Sequence, residues 1–224
     1  MSYPAEYIDF GTIEYKDAWN KQEEYNQHIR DNKDDKLDGK LIFCEHPHVF
    51  TMGKSGQQNN MLINSEFLKT IDATYYKSNR GGDITYHGPG QIVGYPIFDL
   101  EALNIGVKDY VHRLEEAIIL TLKDYGIEST RLDGSTGVWL DVGTPQTRKI
   151  CAIGVKVSKA VTMHGFALNV NTNLNYFSYI NPCGFVDKGV TSMEKELGAA
   201  LNFEKVKQKL KNRIIDIFSL SMSN

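Results

Sequence analysis

The chain has 224 residues, of which 41% are hydrophobic and 24% are charged, so we expect a single globular domain over residues 1–224. A formal net charge of −3 provides no general attraction to phosphate backbones, which disfavours nucleic acid as a partner. No apolar run has membrane-spanning length and the first residues lack signal-peptide features, so we expect a cytoplasmic protein that binds no membrane.

The three cysteines are odd in number and show no Cys-x-x-Cys spacing. This pattern argues against a zinc knuckle and against a disulfide framework, so we expect reduced thiols. Cys44 and Cys151 stand within apolar runs and are expected to be buried. Cys183 differs from both, because it lies between Pro182 and Gly184 in a loop where its sulfur can be exposed.

Hydrophobic periodicity in the first half of the chain predicts four strands and one helix. The strands are expected at residues 8–13, 41–44, 74–78 and 91–98, and the helix at residues 16–30. His46 and His48 flank a proline in a pattern that can ligate a metal. A metal site needs at least three protein donors, and no cysteine or further histidine lies at ligand spacing, so we favour a pocket wall or loop hydrogen bonds and expect no metal.

The second half begins with a helix over residues 106–125 that leaves His112 off its apolar stripe. That stripe consists of Val107, Val111, Leu114, Ile118, Leu122 and Tyr125. Three strands follow with short turns, at residues 137–142, 149–157 and 160–170, which indicates an antiparallel meander.

Two helices complete the predicted elements. Thr191 and Glu194 form a capping-box pattern that opens a short helix to Leu201. The last helix carries the stripe Val206, Leu210, Ile214 and Ile217. Short strands that alternate with about four helices predict an α/β (α+β) fold, in which a mixed, largely antiparallel sheet is flanked by helices.

Residues 80–91 read Arg-Gly-Gly-Asp-Ile-Thr-Tyr-His-Gly-Pro-Gly-Gln and lie between two predicted strands. The glycines and the proline allow tight turns and let a ligand approach the bare main chain. Arg80, His87 and Gln91 are spaced so that one pocket could receive all three, which favours a binding loop over an ordinary hairpin. The order of residues differs from a Walker A loop and from a dinucleotide-binding turn.

Lys149 and Cys183 are the candidate reactive pair. A thiol with a pKa of about 8.5 is mostly protonated at cytosolic pH, so a nucleophilic cysteine needs a cationic neighbour. Lys149 begins an otherwise apolar strand that would hold it in register. The residues alone leave open a second interpretation, in which Lys149 is a solvated strand end and Cys183 an incidental loop thiol.

Ala152 and Gly154 share one face of a predicted strand, and Gly165 and Ala167 share one face of the next. If these strands pair, they form a patch almost free of side chains that could hold a medium acyl chain. Tight packing of a helix over small residues explains the same pattern equally well. His164 stands at the edge of the patch, where it could touch a thioester or orient the lysine, although such a histidine is more often a hydrogen-bonded core residue.

The run from Arg80 to Pro96 resembles the hallmark of the octanoyltransferases of lipoate biosynthesis, Arg-Gly-Gly…Thr-Tyr-His-Gly-Pro-Gly-Gln…Tyr-Pro. The resemblance extends from residues 45–53, Glu-His-Pro-His-Val-Phe-Thr-Met-Gly, to the Pro-Cys-Gly at residues 182–184, and so covers most of the chain. It implies the catalytic fold of the biotin and lipoate protein ligases.

In that family, the lysine of a Lys-Ile-x-x-Ile-Gly motif and the cysteine of Pro-Cys-Gly form a catalytic dyad. The resemblance therefore implies that Cys183 carries a thioester intermediate and that Lys149 acts as general acid/base. It also implies three substrate-binding segments. They are Arg80, Gly81, Gly82, Asp83, Ile84, Thr85, Tyr86 and His87; Ala152, Ile153 and Gly154; and Gly165, Phe166 and Ala167.

The implied reaction moves an octanoyl or lipoyl group from octanoyl acyl carrier protein to a lysine of lipoyl domains, as the first step of endogenous protein lipoylation. The implied acceptors are the lipoyl domains of 2-oxoacid dehydrogenase complexes and the glycine cleavage H protein. Thiolate attack on a thioester gives another thioester at little free-energy change, and amine attack then gives a more stable amide. No ATP and no cofactor are therefore expected.

Two other functions compete with this interpretation. An ATP-dependent lipoate or biotin protein ligase has a related fold but activates a free acid and needs no cysteine nucleophile, and the Gly-Pro-Gly-Gln after His87 departs from its pattern. A non-catalytic scaffold that binds acyl carrier or lipoyl domains would need neither Lys149 nor Cys183.

Overall fold

The computed structural model describes residues 2–33, 38–181 and 188–223. These ranges contain twelve β-strands and five α-helices. The strands are β1 (Tyr3–Thr12), β2 (Gly39–Glu45), β3 (Val49–Met52), β4 (Thr74–Lys77), β5 (Ile84–His87), β6 (Gln91–Ile97), β7 (Thr130–Leu132), β8 (Ser135–Leu140), β9 (Arg148–Ser158), β10 (Val161–Asn169), β11 (Gly189–Val190) and β12 (Leu220–Ser223). The helices are α1 (Tyr15–Asp31), α2 (Ser65–Thr70), α3 (Val107–Lys123), α4 (Met193–Leu197) and α5 (Phe203–Phe218). None of the helices described combines the length and the apolar character needed to cross a membrane.

Nine of the described strands form one large mixed sheet, in the order β12-β1-β2-β6-β10-β9-β8-β7 with β11 beside β9. Within it, β1 pairs in parallel with β12 and β2, and β11 pairs in parallel with β9. The remaining pairs are antiparallel, including β8 with β9 and β9 with β10. The predicted mixed, largely antiparallel sheet with flanking helices is therefore confirmed, and so is its antiparallel meander.

Helices α3 and α5 cover one face of the large sheet and enclose the main core. Leu114, Ile118 and Leu122 of α3 are buried there, as their spacing predicts, and His112 is exposed. The predicted stripe is wrong at Val107, which opens the first turn of α3 and is 46% exposed.

The stripe of α5 differs from the prediction at its last position. Val206, Leu210 and Ile214 are buried as expected, but the next core residue is Phe218 rather than Ile217. Each step along this stripe is four residues, which returns the chain to the same face of a helix. Ile217 lies one residue short of that face and is only partly buried.

Helix α4 begins at a different cap from the one that the sequence pattern predicts. Ser192, not Thr191, is the N-cap, and its Oγ accepts a hydrogen bond from the backbone N–H three residues later at 3.2 Å. The helix ends at Leu197, because Gly198 takes a left-handed backbone conformation with φ 73°. The predicted continuation to Leu201 is therefore wrong.

Helix α1 packs on the opposite face of the large sheet. Side chains alternate along β2, so Leu41 and Phe43 join the main core while Ile42 and Cys44 join a second core with α1. Cys151 lies in the main core, and both of these cysteines are buried as predicted. A small sheet, in the order β4-β3-β5, encloses a third core of its own.

A cluster of aromatic rings joins α1 and the small sheet to the large sheet. Tyr15 of α1 stacks on His87 of β5 with ring centroids 6.1 Å apart, and it meets His46 edge-on at 5.5 Å. His46 donates its Nδ1–H to the carbonyl of Ile13 at 2.7 Å, and its Nε2 accepts a hydrogen bond from the Tyr95 hydroxyl at 2.7 Å. Among the described residues, no three histidine, cysteine or carboxylate side chains gather in a way that could hold a metal.

Burial keeps three histidines of this region neutral. It lowers the pKa of His46 to about 4 and that of His87 to about 3, and the nearby charge of Arg80 acts in the same direction on His87. His164 on β10 is also buried, which lowers its pKa to about 3. Each ring is therefore neutral in the folded protein at neutral pH.

We predict that the free energy of unfolding falls as the pH drops from about 6.5 towards 5. Each folded pKa of these histidines lies below the ordinary value of 6.5, so in this window the unfolded chain binds protons that the folded chain does not. This contribution is complete above pH 6.5 and is lost on acidification, at up to about 1.4 kcal/mol per pH unit for each histidine.

Urea unfolding at a series of pH values measures the slope. The control is His46→Gln, which removes one of the three groups and should flatten the slope by about one third. Equal stability at pH 7 and pH 5 in the parent chain would contradict the prediction.

Candidate active site

A cavity of 740 Å³ is lined by strands of the large sheet, by β5 of the small sheet and by the loop between β4 and β5. Arg80, His87 and Gln91 all line it, as their spacing in the sequence predicts. Lys149 lines the same cavity. The three polar residues of the 80–91 segment and the candidate lysine therefore line the same cavity.

Most of the residues predicted to bind substrate line this cavity. They are Arg80, Gly81, Gly82, Asp83, Ile84, Thr85, His87, Ala152, Ile153, Gly154, Gly165, Phe166 and Ala167. Tyr86 is set apart, because side chains alternate along β5 and its ring packs on the opposite face, where it stacks on Tyr176 with centroids 4.8 Å apart. Its hydroxyl lies 2.7 Å from Nδ1 of His48.

A second loop holds the loop of residues 80–83 in place. Three consecutive backbone N–H groups, at residues 53–55, donate to carbonyl groups of residues 80–83 at 3.0 to 3.2 Å. Gly53 permits this approach, since a Cβ there would lie 2.2 Å from the carbonyl oxygen of Gly82. Gly82 itself has φ +80°, a conformation that favours glycine. The loop of residues 80–83, which we call the substrate loop after its predicted role, is thus held by backbone hydrogen bonds on one side.

The guanidinium of Arg80 ties this loop to β3. Its Nη2 donates to the carbonyl of Thr51 at 2.5 Å, and its Nε donates to the hydroxyl of the same residue at 3.3 Å. Nη1 donates to the carbonyl of Gly81 at 2.9 Å. Arg80 is 8% exposed, so it fixes the loop from inside the cavity wall.

Strands β9 and β10 give the cavity a floor that is almost free of side chains. Gly154 pairs with Gly165, and Ala152 pairs with Ala167, in antiparallel register. This pairing is the one that the sequence predicts from the placement of the small residues. All four residues line the cavity, but the patch is also packed: Ala167 belongs to the second core with α1, and a Cβ at Gly165 would lie 2.1 Å from the carbonyl oxygen of Gly94.

The substrate loop rests directly on this floor. Gly81 donates its N–H to the carbonyl of Val155 at 2.9 Å. A Cβ at Gly154 would lie 2.8 Å from the carbonyl oxygen of Gly81, closer than any real Cβ contact. Gly154 is therefore required for the loop to reach β9.

His164 lies at the loop end of the floor and is bonded to the protein. It donates Nε2–H to Oδ1 of Asn79 at 2.6 Å, and its backbone N–H donates to Oε1 of Gln22 at 3.0 Å. His164 pairs with Val155, six residues along β9 from Lys149, which is roughly 20 Å of strand. It therefore does not orient Lys149 by contact.

Lys149 marks the other end of the cavity. Its Nζ lies 4.5 Å from the centroid of the Trp139 ring and donates to the carbonyl of Thr136 at 3.3 Å. Val190 of β11 pairs with Lys149 in parallel register. Strand β11 thus runs beside the lysine.

Cys183 lies outside the described residues, and the described chain before and after it lies at or next to residues that line the cavity. On one side, Asn181 donates its N–H at 2.8 Å to the carbonyl of Asn60, which lines the cavity. On the other side, Lys188 and Gly189 line the cavity themselves.

Sequence reasoning missed Asn60 and Trp139. Asn60 donates its Nδ2–H to Oδ2 of Asp83 at 2.6 Å, so it connects the substrate loop to the chain before Cys183. No local pattern marks an asparagine in a polar loop as such a link. Trp139 had a local signal, because an aromatic residue on the strand next to Lys149 can lie opposite it in the sheet.

This arrangement suits acyl transfer. A floor without side chains can accommodate an extended apolar chain, and the clamped loop covers one end of it. An ammonium group at the other end stabilises a thiolate or an oxyanion that forms within a few ångströms of it. The chemistry is therefore expected beside Lys149, with the acyl chain extending towards the substrate loop.

Comparisons with known proteins give the family. A family model described as "Lipoyl protein ligase A/B catalytic domain" matches residues 14–215. An octanoyltransferase from Bacteroides fragilis is 54% identical over 210 residues, which cover 92% of this chain and 95% of that protein. An octanoyltransferase from Flavobacterium johnsoniae is 53% identical over 227 residues, which cover 97% and 98%.

Solved structures share the fold at low sequence identity. The bipartite lipoate protein ligase of Thermoplasma acidophilum has a TM-score of 0.72 and 14% identity, covering 99% of this chain and 86% of that one. A lipoate-protein ligase A bound with ATP has a TM-score of 0.70 and 14% identity over 100% and 88%. These similarities concern the fold alone, and they confirm the predicted lipoate protein ligase architecture. The chain belongs to the Lipoyl protein ligase A/B catalytic domain family and, within it, to the octanoyltransferases.

Proposed function

We propose that this octanoyltransferase moves an octanoyl or lipoyl group from an acyl carrier protein thioester to a lysine of a lipoyl domain. Cys183 is the nucleophile that carries the acyl group as a thioester, and Lys149 is the general acid/base. The observation that carries the proposal is the position of Lys149 in the cavity wall, beside β11, while Asn181 bonds to a residue of that wall and Lys188 lines it.

The first half-reaction acylates the enzyme. The Cys183 thiolate attacks the carbonyl carbon of the donor thioester, a bond from its sulfur to that carbon forms, and the bond from the carbon to the carrier sulfur breaks. The Lys149 ammonium gives its proton to the leaving carrier thiolate. Lys149 is then a neutral amine beside the acyl-enzyme.

The second half-reaction releases the product. The neutral amine of the acceptor lysine attacks the acyl carbon, a carbon–nitrogen bond forms, and the bond to the Cys183 sulfur breaks. The Lys149 amine takes the proton that the acceptor nitrogen loses, which restores the ammonium and the thiolate. The amide is more stable than the thioester, so the transfer proceeds without a nucleotide.

The acyl chain lies on the bare floor of Ala152, Gly154, Gly165 and Ala167 in this proposal. The floor supports this placement because both pairs of small residues line the cavity. Arg80 to His87 close the end of that space, although Tyr86 acts there only through its packing on the far side of β5.

The acceptors and setting of the reaction follow from the family. We propose that lipoyl domains of 2-oxoacid dehydrogenase complexes and the glycine cleavage H protein accept the group from octanoyl acyl carrier protein, as the first step of protein lipoylation in the cytoplasm. The matched family region spans most of the chain, which supports one catalytic domain over residues 1–224.

The covalent intermediate gives the first test. After incubation with octanoyl acyl carrier protein, intact mass spectrometry should show one octanoyl group on the parent chain and none on Cys183→Ala, which lacks the nucleophile. Cys44 and Cys151 are internal controls, since both are buried and burial raises the pKa of each thiol. An acyl group on Cys151, or transfer at the parent rate by Cys183→Ala, would refute the mechanism. Consumption of ATP with free octanoate would favour a ligase.

The role of Lys149 gives the second test. Lys149→Met keeps the length of the side chain and removes its charge, so the pH profile of Cys183 alkylation should move up by roughly one to three units. Iodoacetamide at limiting dose, with the labelled cysteine identified by peptide mass, measures the profile. Lys156→Met on the same strand is the matched control and should leave it in place. Coincident profiles for the parent and Lys149→Met would count against the dyad.

The substrate loop gives the third test. Gly82→Val should lower turnover by about 100-fold, because the branched side chain strains a backbone at φ +80° and shifts the loop against the floor. Gly143→Val is the matched control: Gly143 has φ +85° with no atom within 4 Å of its Cβ position, and it does not line the cavity. Gly143→Val should keep the turnover of the parent chain. An equal loss of turnover in both variants would show that backbone strain alone explains the effect.

A further inference from the structure

The ammonium of Lys149 lies over the face of an aromatic ring. Its Nζ is 4.5 Å from the centroid of Trp139, within the range in which a ring quadrupole attracts a cation. The same Nζ donates to the carbonyl of Thr136 at 3.3 Å. Trp139 is 2% exposed, so the ring is held by packing and presents one face to the cavity.

Strand pairing places the ring opposite the lysine. Trp139 is the register partner of Lys149, and directly paired residues of neighbouring strands project their side chains on the same face. The register shifts between Val138 and Trp139, because Val138 pairs with Cys151 rather than with the residue next to Lys149. The extra residue lies in β9, where Ile150 has no register partner, and Trp139 stands level with Lys149 beside it.

Gly137 and Glu115 hold that irregularity in place. Gly137 has φ +127°, and a Cβ there would lie 2.5 Å from the carbonyl oxygen of Cys151 and 3.5 Å from Cε of Lys149. Its N–H donates to Oε1 of buried Glu115 on α3 at 3.0 Å. The indole Nε1–H of Trp139 donates to the carbonyl of Ser135 at 3.0 Å, which fixes the plane of the ring.

We propose that Trp139 is a positioning residue that holds the Lys149 ammonium at the reaction centre through the face of its ring. The proposal rests on the proposed function, because it concerns how the general acid/base of that reaction is held. A ring attracts the ammonium form and not the neutral amine. Trp139 therefore both locates Nζ and favours the charged state that stabilises a neighbouring thiolate.

Other charged and titratable groups surround the pair. Glu115 accepts a hydrogen bond from Arg131 on β7 at 3.1 Å in addition to that from Gly137. Cys151 lies on β9, and Lys188 lines the cavity just before β11. Arg148, the neighbour of Lys149, forms ion pairs with Asp141 and Glu196. These groups are unchanged in the variants below, so a shift between variants reports the ring.

The first measurement locates the ammonium without using catalysis. Reductive methylation with ¹³C-formaldehyde labels lysines, and the Lys149 resonance is assigned by its loss in Lys149→Arg. We expect an upfield ring-current shift in the parent chain, its retention in Trp139→Phe, and its loss in Trp139→Leu. Tyr125→Leu is the control, because it removes a ring that lies 5.7 Å from Lys209 and does not line the cavity; it should leave Lys149 unchanged.

The second measurement reports the function of the contact. The pH profile of Cys183 alkylation should move up by roughly 0.5 to 1 unit in Trp139→Leu and much less in Trp139→Phe. The turnover number should fall in Trp139→Leu while the KM for the acyl donor stays near the parent value. A structural defect alone would not produce this graded shift in the thiol profile.

A third variant protects the test against misfolding of Trp139→Leu. The chain has two tryptophans, so 5,7-difluorotryptophan incorporated into a Trp19→Phe background replaces only Trp139. Fluorination weakens the quadrupole and keeps the shape of the ring. The thiol profile should then move in the same direction by a smaller amount.

Two outcomes overturn the proposal. One is a Lys149 resonance without a ring-current shift in the parent chain, and the other is a thiol profile that is the same in the parent and the fluorinated protein. Failure of the proposed function looks different. A chain that never acylates Cys183 but still shows the ring-current shift would refute the nucleophile and support the contact between Trp139 and Lys149.

Discussion

The site depends on a close approach between a backbone loop and a bare strand. The N–H of Gly81 donates to the carbonyl of Val155, and this bond forms only because Gly154 has no side chain between them. Once the loop rests on β9, its other carbonyl groups meet the N–H groups of residues 53–55, and Arg80 reaches Thr51. The facing residues of β10, Gly165 and Ala167, are also small.

The two ends of the cavity are built in different ways. At the loop end, neutral histidines and a buried arginine are bonded into the scaffold, and each polar group has a defined direction. At the other end, Lys149 contacts a ring and a carbonyl of β8 next to an irregular point in β9. In the proposed reaction, the acyl chain is bound at a distance from the cationic end where the chemistry takes place.

Local patterns predicted the parts of this structure that local geometry determines. The alternation of side chains along strands was enough to place Ala152 and Gly154 opposite Ala167 and Gly165, since the pairing of consecutive strands is the default. The same alternation could have separated Tyr86 from Thr85 and His87, but membership in a motif carries no information about which face a residue takes. A motif joins consecutive residues, whereas a strand places consecutive side chains on opposite faces of the sheet.

The parts that the sequence did not reveal depend on contacts between distant segments. The bond from Asn60 to Asp83 joins two loops with no shared pattern, and the small sheet pairs β3 with β5 across an intervening helix. Ser192 rather than Thr191 caps α4, and the N–H of Thr191 instead donates to the carbonyl of Lys149 on β9 at 2.9 Å. In each case, tertiary packing selected one of several local options that the residues allow.

The parallel pairing of the first and last strands has a consequence for biosynthesis. Tyr3 pairs with Leu220, which follows it by 217 positions, so the outer edge of β1 has no partner while the ribosome is still making the chain. At typical rates of translation, that interval is about 10 to 40 s. An open strand edge is a template for pairing with other chains, and β1 acquires its cover only when β12 emerges. The nascent protein must therefore be protected at this edge longest, far from the residues that perform its chemistry.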